Sequence, residues 1–555
     1  MQRRHFIKLT GVSLGSMLLF RSSGADGHGK LLVALPGKVF IKLDDGEHEL
    51  QSADKLSWTY HDVMVQLRYA GDALRVQLHS PKDALHVVRM QWEYDQPATT
   101  KFLGDHWERT YGDLFFQPAS SEKKLPWYFI QHDDQSTTCF GVKTGCNSIC
   151  HWNIGDGRMH MSMDVRNGGS GVELGDRLLH AADIISTKNK DGENSFATAR
   201  RFCGMMCDKP RLARHPVYGI NDWYYAYGNN SPKLILEQTA LLTALATDTY
   251  NRPFSVIDAG WAHYSTSLPG DCCWGGDFSR PNDKFKDMQS LAADIRKLGM
   301  RPALWTRPLC AADEDNKNLL LPVIAGRENP KNPVLDPSLA ENIERIKRNI
   351  SIYKQWGYEM VKHDFSTFDM LGKWGFQMAG DITSAGWHFN DRSKTTAEII
   401  LQLYTSIREA AADMYLIGCN TMSHLSAGIF EVNRIGDDTS GKEWARTRKM
   451  GVNTLGFRLI QHNHFYAADG DCVGLTKDVP WEKNKQWMQL VAESGTPLFI
   501  SAQPDALGDA QKKSILEYFA IAAKKLPVGE PMDWLTNQLP AKWKLNGNVQ
   551  TFDWS

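Results

Sequence analysis

Two stretches of the chain end apolar runs in ionisable side chains. YEMVKHDF closes on Lys362, His363 and Asp364, and IFEVNRIGDD closes on Arg434, Asp437 and Asp438. Parallel β/α folds place chemistry at the C-terminal ends of their strands, so Asp364 and Asp438 are expected to form two halves of one site. Glycosidic bond hydrolysis needs such a pair, with one carboxyl group ionised and the other protonated. Lys362 lies two residues before Asp364 and shares its face of a strand. Its charge would keep Asp364 ionised, as a nucleophile requires. Asp438 stands beside Asp437 and is expected to face Asp364. Like charge would raise its pKa, so it would hold the proton. Arg434 would oppose that shift at close range and is therefore expected on a substrate hydroxyl. Asp437 is the alternative acid.

Other strand ends add Asp222 and Trp223, Asp258 and Trp261, Trp305 and Arg307, Cys419 and Asn420, and Asp469 and Asp471. A single strand-end aspartate is as often a structural cap as a functional group. Together these residues form a ring of carboxylates, indoles and cations, which suits a polyhydroxylated ligand. Carboxylates accept hydrogen bonds from hydroxyls, and indoles stack on pyranose C–H faces. HNHFYAADGD offers a different chemistry, because His462, His464, Asp469 and Asp471 have a spacing that permits metal binding. A sugar-binding Asp469 explains that position better, so no metal and no cofactor are expected.

These residues need a scaffold. After Pro210, strand-like runs alternate with helical stretches: VYGINDWYYAYG, FSVIDAGW, RPALWTRP, YEMVKHDF, YLIGCN, IFEVNRIG, HFYAADGD and PLFISAQ. Eight runs over roughly 300 residues predict a (β/α)8 TIM barrel at 209–510, with a doubly wound sheet as the alternative. Residues 28–208 carry short β-rich runs and predict an N-terminal antiparallel β-sandwich. Residues 511–555 hold one helix and too little chain for a further domain. The fold class is thus a multidomain α/β chain. Residues 1–27 resemble a twin-arginine signal, with Arg3 and Arg4 ahead of a short apolar core, and predict a periplasmic or cell-surface protein.

Composition narrows the classes. A chain of 555 residues exceeds what one core usually organises. A formal charge of −1 argues against nucleic-acid binding. No run after the N-terminus is long and apolar enough to span a membrane. The 18 Trp, 17 Tyr and 23 Phe tilt towards a saccharide partner, either an oligosaccharide or a polysaccharide. The ten cysteines are too sparse for a disulfide scaffold, and the pairs Cys146/Cys150 and Cys203/Cys207 lack zinc-site partners. Adjacent Cys272 and Cys273 are expected either to line the pocket or to form a vicinal disulfide.

With these motifs in order, the chain resembles the clan of retaining α-galactosidases, glycoside hydrolase families 27 and 36, the melibiases. The resemblance runs roughly from 216 to 510 and rests on NDWYYAYG, IDAGW, FKDMQSLAADIRKLGMRPALWTRP, VKHDF, NRIGDD and SGTPLFIS. Family 36 is favoured by the large N-terminal β-region. The resemblance implies a retaining, exo-acting α-glycoside hydrolase, α-galactosidase first. It makes Asp364 the nucleophile and Asp438 the acid/base. Lys362 and Arg434 would bind ring hydroxyls, Asp258 would grip the far side of the glycone, and Trp261 and Trp305 would form walls. Cys272 and Trp274 fall in a loop that approaches the glycone.

The chain also departs from the family pattern. The second strand usually carries two aspartates, where this chain has Asp258 followed by Ala259. Asp277 is the candidate replacement. Otherwise the glycone is another sugar, such as N-acetylgalactosamine or β-L-arabinopyranose. Asn420 and His424 are candidates to read a 2-substituent, and His363 is expected to pack on the opposite face of its strand. Two further readings stay open: a transglycosylase, and a secreted carbohydrate-binding protein without turnover.

Overall fold

The computed structural model describes residues 20–21, 30–263, 274–312, 315–323 and 333–555. Cys272, Cys273 and nearly all of the expected signal segment lie outside the described residues.

Period-two burial builds the N-terminal region. In Val63–Ala70 the side chains of Val63, Val65 and Leu67 point inward while Met64 and Gln66 are half-buried, and Lys38–Leu43 alternates in the same way. Such strands assemble into two antiparallel sheets. One runs Ser57–Tyr60, Val63–Ala70, Ala73–Ser80, Gly175–Lys188, Thr137–Val142, Tyr128–His132 and Lys101–Gly104. The other runs Ser120–Pro126, Ile149–Gly155, Arg158–Asp164, Val87–Glu93, Lys38–Leu43 and Gly46–Glu49. Aromatic rings fill the space between them: Trp152 of the second sheet meets Phe129 and Phe140 of the first at 5.5 and 6.2 Å.

A second grammar begins near Tyr218. Nine segments form one curled parallel sheet: Tyr218–Asn221, Phe254–Ile257, Arg301–Thr306, Met360–His363, Tyr415–Gly418, Val432–Arg434, Ala467–Asp469, Cys472–Leu475 and Leu498–Ala502. Nearly every residue in them is buried, which is why they read as continuous apolar runs. From the first segment to the seventh, each lies beside its predecessor, without the reversal of a doubly wound sheet. Leu498–Ala502 pairs with the first segment and Cys472–Leu475 with Leu498–Ala502.

The expected closed barrel is met in part. The sheet is TIM-barrel-like, but the run HFYAADGD is split into Ala467–Asp469, which pairs with the sixth segment, and Cys472–Leu475, which pairs with the last. Asp471 between them has a left-handed φ of 74°. Its carboxylate accepts from Tyr224 Oη and Thr439, which turns the backbone out of the ladder. Helices cover the outside. Ala340–Gln355 buries Ile343, Ile346, Ile350 and Tyr353 along one stripe, and Thr396–Ala411 opens with a capping box between Thr395 and Glu398.

The segment GDHWERTYGDL, residues 104–114, joins the two regions. Thr110 N–H donates to Ile435 O (2.9 Å), and Asp437 N–H donates to Thr110 O (2.9 Å). Arg458 and Asp105 form a fully buried ion pair at 2.7 Å beneath it. The C-terminal tail adds a small antiparallel sheet of Glu530–Pro531, Lys542–Leu545 and Asn548–Thr551. Trp534 in that tail packs edge-on against Phe116 and Phe196 and donates to Ser195 Oγ.

Candidate active site

A cavity of ≈ 350 Å³ opens at the C-terminal ends of the parallel strands. Of the expected site residues, Asp258, Trp274, Trp305, Lys362, Asp364, Arg434 and Asp438 line it.

Asp364 follows directly on the fourth strand. Its Oδ2 accepts from Trp305 Nε1 (3.0 Å) and its Oδ1 from Phe365 N–H (2.7 Å). Phe365 sits at φ 64°, a costly conformation for a large residue, and so turns the chain sharply after the carboxylate. Lys362 was expected to pair with Asp364. Its Nζ instead lies 2.7 Å from Asp258 Oδ2, which also accepts from Asn221 Nδ2 at 2.8 Å. Burial opposes the Lys362 charge, but Asp258 and further anionic neighbours outweigh it and hold the ammonium well above the usual lysine range. Behind this pair, Asp222 accepts from Asp258 N–H, and burial plus the Asp258 charge push its pKa up to about 7.

Asp438 departs from expectation. Arg434 Nη2 lies 3.2 Å and Arg109 Nη1 3.9 Å from its Oδ1. Burial pushes its pKa up, but Arg434, Arg109 and Lys362 outweigh that effect and hold the carboxyl below its ordinary value. The predicted upward shift from Asp437 therefore does not occur. Asp437 is itself taken by Arg109 (3.0 Å) and Arg446 (2.6 Å), which leaves Asp438 as the more open of the two. Arg434 is fully buried and shared with Asp471 at 3.0 Å, so its charge is already partnered without a substrate hydroxyl.

Several expected residues sit elsewhere. Trp261 is buried behind the wall: its Nε1 donates to Trp305 O (2.8 Å), and its ring meets Phe278, Tyr353 and Trp356 edge-on. Asn420 faces away from the cavity, donating to Glu108 Oε2 and accepting from Phe368 N–H. Asp469 accepts from Asp471 N–H, and its pKa rises to about 6 through burial. Asp277 does not take the place of the missing aspartate, because it is held by Ser279 and Arg280 away from Ala259. His424 stacks on Trp127 at 4.8 Å and bonds Val142 O, so it serves the seam between regions. His363 packs between Tyr404 and Phe430, as its place on the strand implies. His462 Nδ1 accepts from Ala468 N–H, and among the described residues no three His, Cys, Asp or Glu side chains gather as a metal site would require.

The cavity also holds residues that the strand ends did not point to. Arg109 and Tyr111 come from the joining segment, and Trp374 and Phe376 from the loop after the fourth strand. Arg109 stacks over Trp374 at 5.2 Å, and Trp374 stacks on Phe368 at 4.4 Å. The signal for Arg109 was present in 104–114: an aromatic and ionisable cluster with no strand or helix periodicity. Taken together, the site presents five aspartates, with Asp364 and Asp438 following different strands, a buried cation network and an aromatic rim.

No family model matches the chain, and no curated protein matches it in sequence. Solved structures do match in fold. An α-galactosidase from Thermus thermophilus, in complex with p-nitrophenyl α-D-galactopyranoside, is 16% identical with a TM-score of 0.60, covering 93% of this chain and 99% of that one. A family 36 α-galactosidase from Geobacillus stearothermophilus, in complex with 1-deoxygalactonojirimycin, is 12% identical with a TM-score of 0.57, covering 93% of this chain and 82% of that one. An α-galactosidase from Lactobacillus brevis is 11% identical with a TM-score of 0.55, covering 94% and 79%. These likenesses establish a shared fold.

Proposed function

We propose that this protein is a retaining, exo-acting glycoside hydrolase, an α-galactosidase in the first instance. One observation carries the reading: Asp364 and Asp438, which follow different strands, line one cavity together with further carboxylates, cations and aromatic rings. The fold shared with α-galactosidases supports it. In this reading Asp364 attacks the anomeric carbon while the Trp305 indole and the Phe365 amide fix its two oxygens. Asp438 gives a proton to the departing oxygen and then takes one from the water that releases the sugar. Asp438 is an arginine-paired carboxylate in the free site, so proton uptake precedes the first step and activity belongs on the acid side of neutrality. Asp258, Asn221 and Lys362 form the closed end, where glycone hydroxyls bind. Ala259 beside them supplies no second carboxylate, which keeps N-acetylgalactosamine and β-L-arabinopyranose as alternative glycones. Export by the twin-arginine route, and a division of the chain at 209 and 511, complete the proposal.

The test is kinetic. A panel of aryl α-galactoside, α-N-acetylgalactosaminide and β-L-arabinopyranoside, followed by NMR of the first anomer released, identifies glycone and stereochemistry. Asp364→Ala is expected to lose at least about a thousandfold in kcat, with azide restoring turnover as the inverted glycosyl azide. Asp438→Ala is expected to slow poor leaving groups far more than good ones. Equal losses on both kinds of substrate would remove Asp438 from the acid/base role.

A further inference from the structure

A second cavity of ≈ 220 Å³ lies against the first, between the antiparallel strand Ser120–Pro126 and the 375–379 turn. Phe376 lines both cavities. Four Phe, Tyr or Trp residues are exposed among the described residues: Phe115, Tyr250, Trp274 and Phe376. Three of the four line these two cavities, so exposed aromatic surface is concentrated here.

The second cavity lies on the acid's side of the first. Asp438 is neighboured by Arg109, whose guanidinium stacks over Trp374. Tyr111 of the same segment meets Phe376 edge-on at 5.0 Å and His106 at 5.4 Å, and His106 belongs to the second cavity. The opposite end, at Asn221, Asp258 and Lys362, is closed. A leaving group departs past the residue that protonates it, and Phe376, against Tyr111, lines both cavities. The cavity wall mixes apolar platforms with hydrogen-bonding groups of both signs: Phe115, Lys123 with its Nζ 5.7 Å from the Phe115 ring, Glu122 and His106. His106 Nδ1 is buried and has no partner among the described residues, and burial lowers the ring's pKa to about 4, so it meets a ligand as a neutral imidazole.

We propose that this cleft is a subsite for the leaving-group saccharide, with Phe376 and Phe115 as its stacking platforms. The inference rests on the function proposed above and adds that the antiparallel region reads the aglycone. An uncharged, polyhydroxylated ring fits the mixed wall better than an anion, because Glu122 and Asp113 stand beside Lys123.

Phe115 and Lys123 belong to the second cavity and not to the first, so Phe115→Ala and Lys123→Ala test the subsite without touching the catalytic cavity. Both variants should keep kcat/KM on p-nitrophenyl α-galactoside within about twofold of the parent, while kcat/KM on the α-linked tetrasaccharide stachyose falls about tenfold. A second arm needs no turnover: calorimetric titration of Asp364→Asn with stachyose, with and without Phe115→Ala, should show a weakening of about tenfold. Equal effects on the two substrates, an unchanged stachyose affinity, or no stachyose binding would overturn the subsite. Failure of the parent enzyme on every aryl glycoside would instead overturn the catalytic reading, and the titration would still decide the cleft.

Discussion

Asp438 and its arginines show how a residue's chemistry depends on partners that its sequence neighbours do not reveal. Adjacent Asp437 suggested like-charge repulsion and a raised pKa. In the fold, Asp437 is ion-paired with Arg109 and Arg446, and Asp438 faces Arg434 and Arg109. The sign of the effect on pH dependence follows. In the proposed role, acid catalysis by Asp438 is lost as pH rises through its pKa, and each cation that lowers that pKa moves the loss to lower pH. Arg109→Met removes one cation while Asp437 keeps Arg446. The alkaline limb of kcat/KM on a poor leaving group should therefore move up by about one pH unit. A pH–rate profile checks this, and an activated aryl glycoside, which needs no acid, should show no movement.

At the scale of elements, the joining segment and the sixth parallel strand form one unit. Thr110 extends the backbone pairing to residues 435–437, and the Arg458–Asp105 pair lies beneath it. Burial and ion pairing oppose one another at this pair. Burial raises the Asp105 pKa and the Arg458 charge lowers it, with the upward effect larger. Removing only the arginine would leave a buried carboxyl with Gln461 as its remaining side-chain donor. Arg458→Met should cost about 3–5 kcal/mol in chemical denaturation, while a surface pair such as Lys38–Glu49 should cost under about 1 kcal/mol when broken. Because Arg109 rides on the same segment, Arg458→Met should also lower kcat.

At the scale of the whole molecule, the antiparallel region is part of the site. Arg109 and Tyr111 reach the cavity, Glu108 holds Asn420 and Gly375 N–H, and Trp127 stacks on His424. A fragment of residues 209–555 would expose this seam and lack Arg109. It should therefore either fail to give a cooperative melt or fold without measurable turnover. A fragment as active as the full chain would show that the antiparallel region contributes nothing to catalysis.

Much of the parallel sheet was legible because its strands are buried on both faces and so appear as unbroken apolar runs with polar ends. That alone located Asp258, Trp305, Lys362, Asp364, Arg434 and Asp438 at one rim. The split at Asp471 was not legible, since HFYAADGD has the composition of one strand and the partners of the Asp471 carboxylate, Tyr224, Thr439 and Arg434, come from other segments. Nor did periodicity separate Trp305, which lines the cavity, from Trp261, which supports it from behind: each lies near or just beyond the C-terminal end of a strand, and both are fully buried. The sequence by itself determined which residues stand at strand ends, because side-chain burial along a strand is a local pattern. Only the tertiary structure decided which charges meet. Lys362 goes to Asp258 and Arg109 to the aspartate pair because ion pairing depends on a few ångströms between segments far apart in the chain, and no local pattern records that distance.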